Sequence, residues 1–391
     1  MTHPKRLRVL WLCSWYPSSV DLFSGDFIQR HAEAVSEYAD IHVLHAIGSP
    51  SHHAYSIAKD DRTQALREWI AYYPTQRWDQ RWLSALGWLR AMGRMVRAYQ
   101  FAYGLPDLVH VQIPYKSGLI ARYLLARFGV PHVVTEHWGI YQVKTADRFE
   151  NRSFLFRLIT RLGYKKSVCS ISVSDYQSRQ LQTYLGALCS RTIYNVVDTR
   201  FFYFVERAVR PFTFLHVSDW SENKNPEGIL RVFDRLHRAF PQTRLILVGG
   251  KGDRGEWIRQ LAKDRSAAIY CEGEVTYGTV AGFMKEADCF VLNSSMENSP
   301  CVIGEALCAG LSVIATDVGG VSELIDPVCS RLIPVGDEPA LYLAMQEVMQ
   351  NSEGLNRREI AERAKTRFSY QTIGRQLDEA YREALGMRSL N

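Results

Sequence analysis

Apolar residues along this chain fall into short, nearly unbroken runs separated by stretches with helical spacing. In the front half, Arg8–Cys13, Ile41–Ala46, Leu108–Gln112, His132–Thr135 and Ser167–Val173 predict strands. Phe27–Tyr38, Gly118–Phe128 and Tyr176–Leu185 predict helices between them. Strands buried on both faces read as continuous apolar runs, so this alternation predicts a parallel sheet covered by helices. The pattern restarts near residue 212, with strands at Phe212–Val217, Arg244–Val248, Ala268–Cys271, Cys289–Leu292, Ser312–Thr316 and Ser330–Ile333. The helices expected there are Glu227–Ala239, Glu256–Asp264, Tyr277–Glu286, Val302–Cys308 and Ala340–Met349. The expectation is an α/β chain of two doubly wound domains of similar size, with a boundary near 196–211. A tail helix, Tyr370–Leu385, is expected to pack back across that boundary.

The 391 residues are 47% hydrophobic and 23% charged, which excludes disorder and a disulfide-stapled mini-domain. Net charge is +6, but residues 1–200 carry 25 Lys and Arg against 15 Asp and Glu, and the rest carry 22 against 26. A basic front half suits a phosphorylated or membrane-borne partner. Its arginines are interspersed and form no nucleic-acid module. The eight cysteines form no C-x-x-C or zinc spacing and read as reduced thiols of a cytoplasmic protein. No apolar run reaches membrane-spanning length.

One stretch breaks the alternation. Residues 77–103 hold five arginines, one aspartate and three tryptophans. Leu86, Leu89, Gly93 and Val96 share one helical stripe, and Arg90, Arg94 and Arg97 another. The segment reads either as a core-packing helix with a solvated face or as an interfacial helix touching anionic lipid.

Candidate chemistry gathers at predicted strand ends, where α/β proteins bind ligands. Gly250-x-Gly252-x-x-Gly255 matches a dinucleotide fingerprint, but it follows the second strand of its half rather than the first. Gly25, in Ser24-Gly25-Asp26-Phe27, would let a ligand approach the backbone, or would be a turn with Asp26 capping the helix. His137, in Thr135-Glu136-His137-Trp138-Gly139, follows a strand, and Lys224 stands at a loop-to-helix junction suited to a phosphate. Glu297-Asn298-Ser299-Pro300 leads into a helix carrying Glu305. Two glutamates eight apart on one helix would be ~12 Å apart along its axis. That exceeds the roughly 5–9.5 Å of a glycosidase pair, so separate jobs are expected.

At these residues the chain resembles the retaining glycosyltransferases of family 4. The resemblance rests on Glu297-x7-Glu305, Gly319-Gly320-Val321-Ser322-Glu323, Ser172-Val173-Ser174-Asp175, Ile193-Tyr194-Asn195-Val196-Val197-Asp198 and Thr135-Glu136-His137, in order. It implies a GT-B fold, two Rossmann-like domains facing across a cleft. An acceptor-side domain would cover 1–200, a nucleotide-sugar domain 201–369, and a returning helix 370–391. It further implies that Glu305 binds the ribose and Glu297 lies near the transferred sugar. Asn298, Ser299 and Pro300 would line the sugar and phosphate site. Lys224 and Gly25 would meet the diphosphate, and His137 the donor sugar. No metal or other cofactor is implied, and no Asp-x-Asp occurs. Asp219 stands where many members carry arginine, which points to Lys251 or Arg254 as a replacement cation.

The expected function is transfer of a sugar from a UDP- or GDP-linked donor to a hydroxyl acceptor, lipid-linked or part of a cell-surface glycan. The expected location is the cytoplasm, peripheral at the inner membrane face through 77–103. The alternatives are a nicotinamide oxidoreductase using Gly250–Gly255 and a non-catalytic glycan-assembly subunit.

Overall fold

The computed structural model describes residues 6–52, 54–75, 81–142, 147–186, 189–206 and 211–387, without the side chains of 81–83. Positions 77–80 of the basic aromatic segment therefore lie outside the described residues. Contacts divide the chain into unit 1, Met1–Tyr194 with Tyr370–Asn391, and unit 2, Asn195–Ser369.

In unit 1 the strands are β1 (Arg8–Cys13), β2 (Asp40–Ser49), β3 (Ser56–Asp61), β4 (Leu66–Pro74), β5 (Leu108–Gln112), β6 (His132–Glu136), β7 (Cys169–Ser172) and β8 (Ser190–Thr192). Their order in the sheet is β3-β4-β2-β1-β5-β6-β7-β8. Only β3 runs antiparallel to its neighbour. It is an edge strand whose exposed Lys59, Asp60 and Asp61 discourage pairing with another chain. The first helices are α1 (Asp26–Val35), α2 (Arg81–Tyr103), α3 (Ser117–Phe128), α4 (Phe154–Tyr164) and α5 (Asp175–Leu185). The β3–β4 hairpin, β8 and α4 are not among the elements expected from the sequence; the charge on β3 and the three-residue length of β8 hid those two strands.

Unit 2 has a six-stranded, all-parallel sheet of β9 (Phe212–Ser218), β10 (Thr243–Gly249), β11 (Ile269–Glu272), β12 (Cys289–Leu292), β13 (Ser312–Thr316) and β14 (Ser330–Ile333). The order is β11-β10-β9-β12-β13-β14. The helices are α6 (Pro226–Ala239), α7 (Gly252–Lys263), α8 (Tyr277–Glu286), α9 (Cys301–Cys308), α10 (Val321–Leu324), α11 (Glu338–Gln350) and α12 (Arg357–Phe368). Each unit is Rossmann-like, with its own apolar core between sheet and helices. The last helix, α13 (Tyr370–Ala384), belongs to unit 1 and packs on α1. There the Tyr381 hydroxyl lies 2.7 Å from His110 Nδ1.

Two local expectations are corrected. On α2, Val96 belongs to the core with Trp88, Met92, Met95 and Tyr99, whereas Leu86 and Leu89 are exposed. The inward face is thus set by the rings and methionines that cover β2 and β4. Asp26 does not cap α1; it is the first helical residue and pairs with Arg30 at 2.7 Å. Among the cysteines, Cys189 is exposed and Cys13, Cys289, Cys308 and Cys329 are buried; all eight are free. No helix among the described residues is long and apolar enough to cross a membrane.

Candidate active site

In unit 2, β9 lies between β10 and β12, so the connections after β9 and β12 leave toward opposite faces of the sheet. That divergence opens a crevice at the strands' carboxyl ends. The loop after β9 ends at Asn225, whose side-chain oxygen accepts from Gly228 N at 3.1 Å and caps α6. Pro226 opens the helix with its fixed φ. This cap sets the place of Lys224.

The loop after β12 is stitched to it. Asn223 Nδ2 donates to Met296 O at 2.9 Å, and Ser295 N donates to Asn223 O at 2.8 Å. Between these ties Lys224 Nζ meets Glu297 Oε1 at 2.5 Å. Ser294 Oγ donates to the same oxygen at 2.7 Å, and Thr316 Oγ1 holds Ser294 O at 2.5 Å. Glu297 is 9% exposed, so the pair is largely desolvated and each charge depends on the other. Gly319 has φ +58°, and a Cβ there would strike Glu297 O; only glycine lets the two turns close. Gly320 N donates to Asn298 O at 3.0 Å, and Asn195 Nδ2 to Ser299 O at 2.7 Å. Ser299 Oγ is buried without a partner among the described residues. Pro300 stands at the N-terminal boundary of α9, and Glu305 is buried inside that helix. The two glutamates therefore sit on different elements, a loop and a helix.

Asp219 turns back on its own loop, accepting from Ser221 N at 3.1 Å and Ser221 Oγ at 2.9 Å. Lys251 pairs with Glu274 at 3.3 Å. Arg254 pairs with Glu227 and donates to Trp220 O at 2.6 Å. Both candidate replacement cations thus have carboxylate partners. The Trp220 indole fills the space beside Gly250, so the missing Cβ of this glycine makes room for the chain's own ring.

In unit 1, Gly25 precedes α1 with φ +71°, and a Cβ would lie 2.8 Å from Trp15 C. Close approach of the chain's own backbone requires this glycine. Phe27, two residues on, places its ring 4.9 Å from His137. His137 Nε2 lies 2.9 Å from Gln112 Oε1. An amide oxygen accepts only, so Nε2 carries the proton. Burial, then the neighbouring His31 and His110, hold His137 well below its ordinary pKa and keep it neutral. Glu136 anchors this corner. Its carboxylate accepts from His137 N (3.0 Å), Trp138 N (2.9 Å), Tyr141 OH (3.1 Å) and Tyr164 OH (3.0 Å). Burial pushes its pKa up to about 7.

Two family descriptions match this chain. "Glycosyl transferases group 1" covers residues 200–367, and "Glycosyltransferase Family 4" covers 32–201. The chain belongs to glycosyltransferase family 4. A phosphatidylinositol N-acetylglucosaminyltransferase component from Arabidopsis thaliana is 26% identical over 56% of this chain and 49% of its own length. The chain thus spans about half of that plant relative. Alpha-maltose-1-phosphate synthase of Mycolicibacterium smegmatis is 24% identical, over 96% of this chain and 99% of its own. The structure of Anabaena Alr3699/HepE in complex with UDP-glucose matches with a TM-score of 0.69 at 17% identity, covering 97% of this chain and 100% of that one. That likeness shows the GT-B fold.

For this glycosyltransferase, sequence reasoning singled out Lys224 and Glu297 but missed what fixes them. Ser294 sat inside the quoted motif, and its spacing of three from Glu297 was the available signal. Gln112 and His31 gave none, because each meets His137 only through strand order and helix packing; Glu136 stood beside His137 in the motif, and its bond to the His137 backbone is local.

Proposed function

We propose that this family 4 enzyme transfers a sugar from a UDP- or GDP-linked donor to a hydroxyl acceptor, with retention at the anomeric carbon. The observation that carries this reading is the Lys224–Glu297–Ser294 cluster at the crevice between β9 and β12. An ammonium has three donors, and only one is directed at Glu297 in that contact. The others suit diphosphate oxygens, with the buried Ser299 hydroxyl as a further donor. Glu297 is placed in a loop for sugar hydroxyls and Glu305 in the helix for the ribose, as the family resemblance assigns. Gly25 and His137 carry over from the same resemblance, His137 as a neutral ring of fixed tautomer. The UDP-glucose held by HepE supports a nucleoside diphosphate sugar as donor.

The oxocarbenium-like transition state would be stabilised by the departing diphosphate and by preorganised donors, so no metal is needed. A thermal-shift panel of UDP, GDP and their sugars identifies the donor, since a ligand at 100 times its Kd adds about 2.7 kcal/mol. With that donor, Glu297→Ala and Lys224→Ala should each abolish transfer, and EDTA should leave it intact. Undiminished turnover in both variants would overturn the assignment. Donor binding without any turnover would favour the non-catalytic glycan-assembly role.

A peripheral place at an anionic, cytoplasmic membrane face, with a lipid-linked or cell-surface glycan acceptor, is favoured by α2. Its outer surface exposes Leu86, Leu89 and Phe101 (96% exposed) beside the exposed Arg90, Arg94 and Arg97. Apolar anchors flanked by arginines suit the headgroup boundary, at about 1 kcal/mol per basic residue. Co-sedimentation with anionic but not zwitterionic vesicles at low salt is the expected result. Equal recovery with both would refute it.

A further inference from the structure

A cavity of about 290 Å³ opens in unit 1 beyond the ends of β1, β2 and β5. No residue assigned to the donor lines it. Its walls include Trp15, His45, Trp88, Tyr115, Lys116 and Trp138. The volume is at the small end of the roughly 300–1,000 Å³ usual for ligand pockets, enough for one ring-sized group rather than an extended chain.

Three features of the wall point to the same ligand. The first is aromatic. Trp15 and Trp138 meet edge to face at 5.4 Å, and Phe156 backs Trp138 at 5.8 Å and Tyr115 at 4.3 Å. Such rings, fixed by neighbours, offer negative faces to the C–H side of a saccharide.

The second is an unsatisfied acceptor. His45 is 3% exposed, and its Nδ1 lies 2.9 Å from Cys13 O. A carbonyl accepts only, so Nδ1 carries the proton and Nε2 keeps its lone pair. Nε2 has no partner among the described residues. Burial lowers the ring's pKa to about 4, so it stays a neutral acceptor. A buried acceptor left unpaired is costly, and a ligand hydroxyl would satisfy it.

The third is an uncompensated cation. Lys116 is half-buried, and among the described residues no carboxylate lies within ion-pair distance of it. Its ammonium rests 5.3 Å from the Tyr115 ring centre and 5.9 Å from that of Trp88. Its backbone is held at φ 66°, ψ −54°, a region that non-glycine residues rarely adopt. Strain of this kind persists where surrounding structure fixes a functional side chain.

We infer that this cavity binds the acceptor's terminal sugar and that this sugar carries an anionic group, phosphate or carboxylate. Its ring lies against the tryptophans, a hydroxyl donates to His45 Nε2, and the anion meets Lys116. The inference rests on the glycosyltransferase reading and names its acceptor class.

The test uses the full chain and calorimetric titration. UDP and GDP are titrated first. At saturation with whichever nucleotide binds, which occupies the donor pocket, glucose 1-phosphate, methyl glucuronide and methyl glucoside are compared. Wild type should bind one or both anionic probes at least about tenfold tighter than the neutral one, as a charge-assisted contact requires. The two anionic arms distinguish phosphate from carboxylate. Lys116→Met should erase the preference and leave nucleotide affinity unchanged. Lys116→Gly, which relieves the backbone strain, should do the same and guards against misfolding. An undiminished preference in both variants, or equal binding of neutral and anionic probes by wild type, would overturn the inference. Failure of wild type to bind either UDP or GDP would instead overturn the donor reading, and the probes titrated alone would still report on the cavity.

Discussion

Replacing Glu136 by glutamine should flatten the pH dependence of unit 1's stability. The carboxyl is 1% exposed, and burial raises its pKa from an ordinary 4.5 to about 7 even though four donors favour the anion. The folded state therefore keeps a proton that the unfolded chain releases near pH 4.5. Between pH 4.5 and 7 the native state binds more protons, so stability falls as pH rises. The contribution is fully present below pH 4.5 and gone above about pH 7. At about 1.4 kcal/mol per pH unit, the loss across that window is about 3 kcal/mol. For a body of this size that is ~6–12 °C in Tm. Calorimetric melts of wild type and Glu136→Gln at pH 5, 6, 7 and 8, at constant ionic strength, measure it. The variant's Tm relative to wild type should climb with pH and level off above pH 7. A Tm difference independent of pH would show that Glu136 is ionised throughout and that its donors outweigh its burial.

Three further outcomes are expected. Gly25→Ala forces a side chain into φ +71° against the Trp15 backbone and should cost about 1–3 kcal/mol in urea unfolding. Gly319→Ala pushes the Glu297 loop away from Lys224 and should lower kcat/KM by about 10²-fold, and a variant with wild-type kcat/KM would refute the placement. Asp378→Ala on α13 leaves Arg382 buried without its 2.7 Å partner and should cost about 3–5 kcal/mol. Adding Arg382→Met should recover part of that loss, and additive losses would argue against the pair.

What could be read from the sequence follows from where each signal lives. The parallel strands were legible because burial on both faces leaves apolar runs such as Val9–Cys13 and Phe290–Leu292. Lys224 and Glu297 were legible because each directly follows or precedes a recognisable strand or helix end. The β3–β4 hairpin was not, since Lys59, Asp60 and Asp61 on its edge resemble a loop. The inward face of α2 was misjudged because its core contacts come from Trp88, Met92 and Tyr99, rather than the aliphatic stripe. The acceptor cavity was invisible. His45, Lys116 and Trp138 come from β2, the loop after β5 and the loop after β6, and only strand order joins them. Gly25 stands out in the sequence as a turn glycine before a helix, and the packing reason it must be glycine, the Trp15 backbone against its missing Cβ, is visible only in the fold.

Glu136 explains why a residue that lowers stability near neutral pH occupies this corner. Four donors from three segments converge on it: two backbone N–H groups just past β6, Tyr141 five residues on, and Tyr164 at the end of α4. An ionised carboxylate offers about four acceptor positions, whereas a glutamine amide offers two and adds donors of its own. Glutamine would remove the pH-dependent loss and keep an Oε1 acceptor for both backbone N–H groups, but its amide nitrogen would face the Tyr141 and Tyr164 hydroxyls, which would lose the oxygen they donate to, at about 1–3 kcal/mol for each donor left buried and unpaired. The two backbone N–H groups belong to His137 and Trp138, one assigned to the donor sugar and the other a wall of the acceptor cavity. The buried acid therefore holds the backbone of His137 and of Trp138 from a single point, and a change in its protonation is expected to be felt by both.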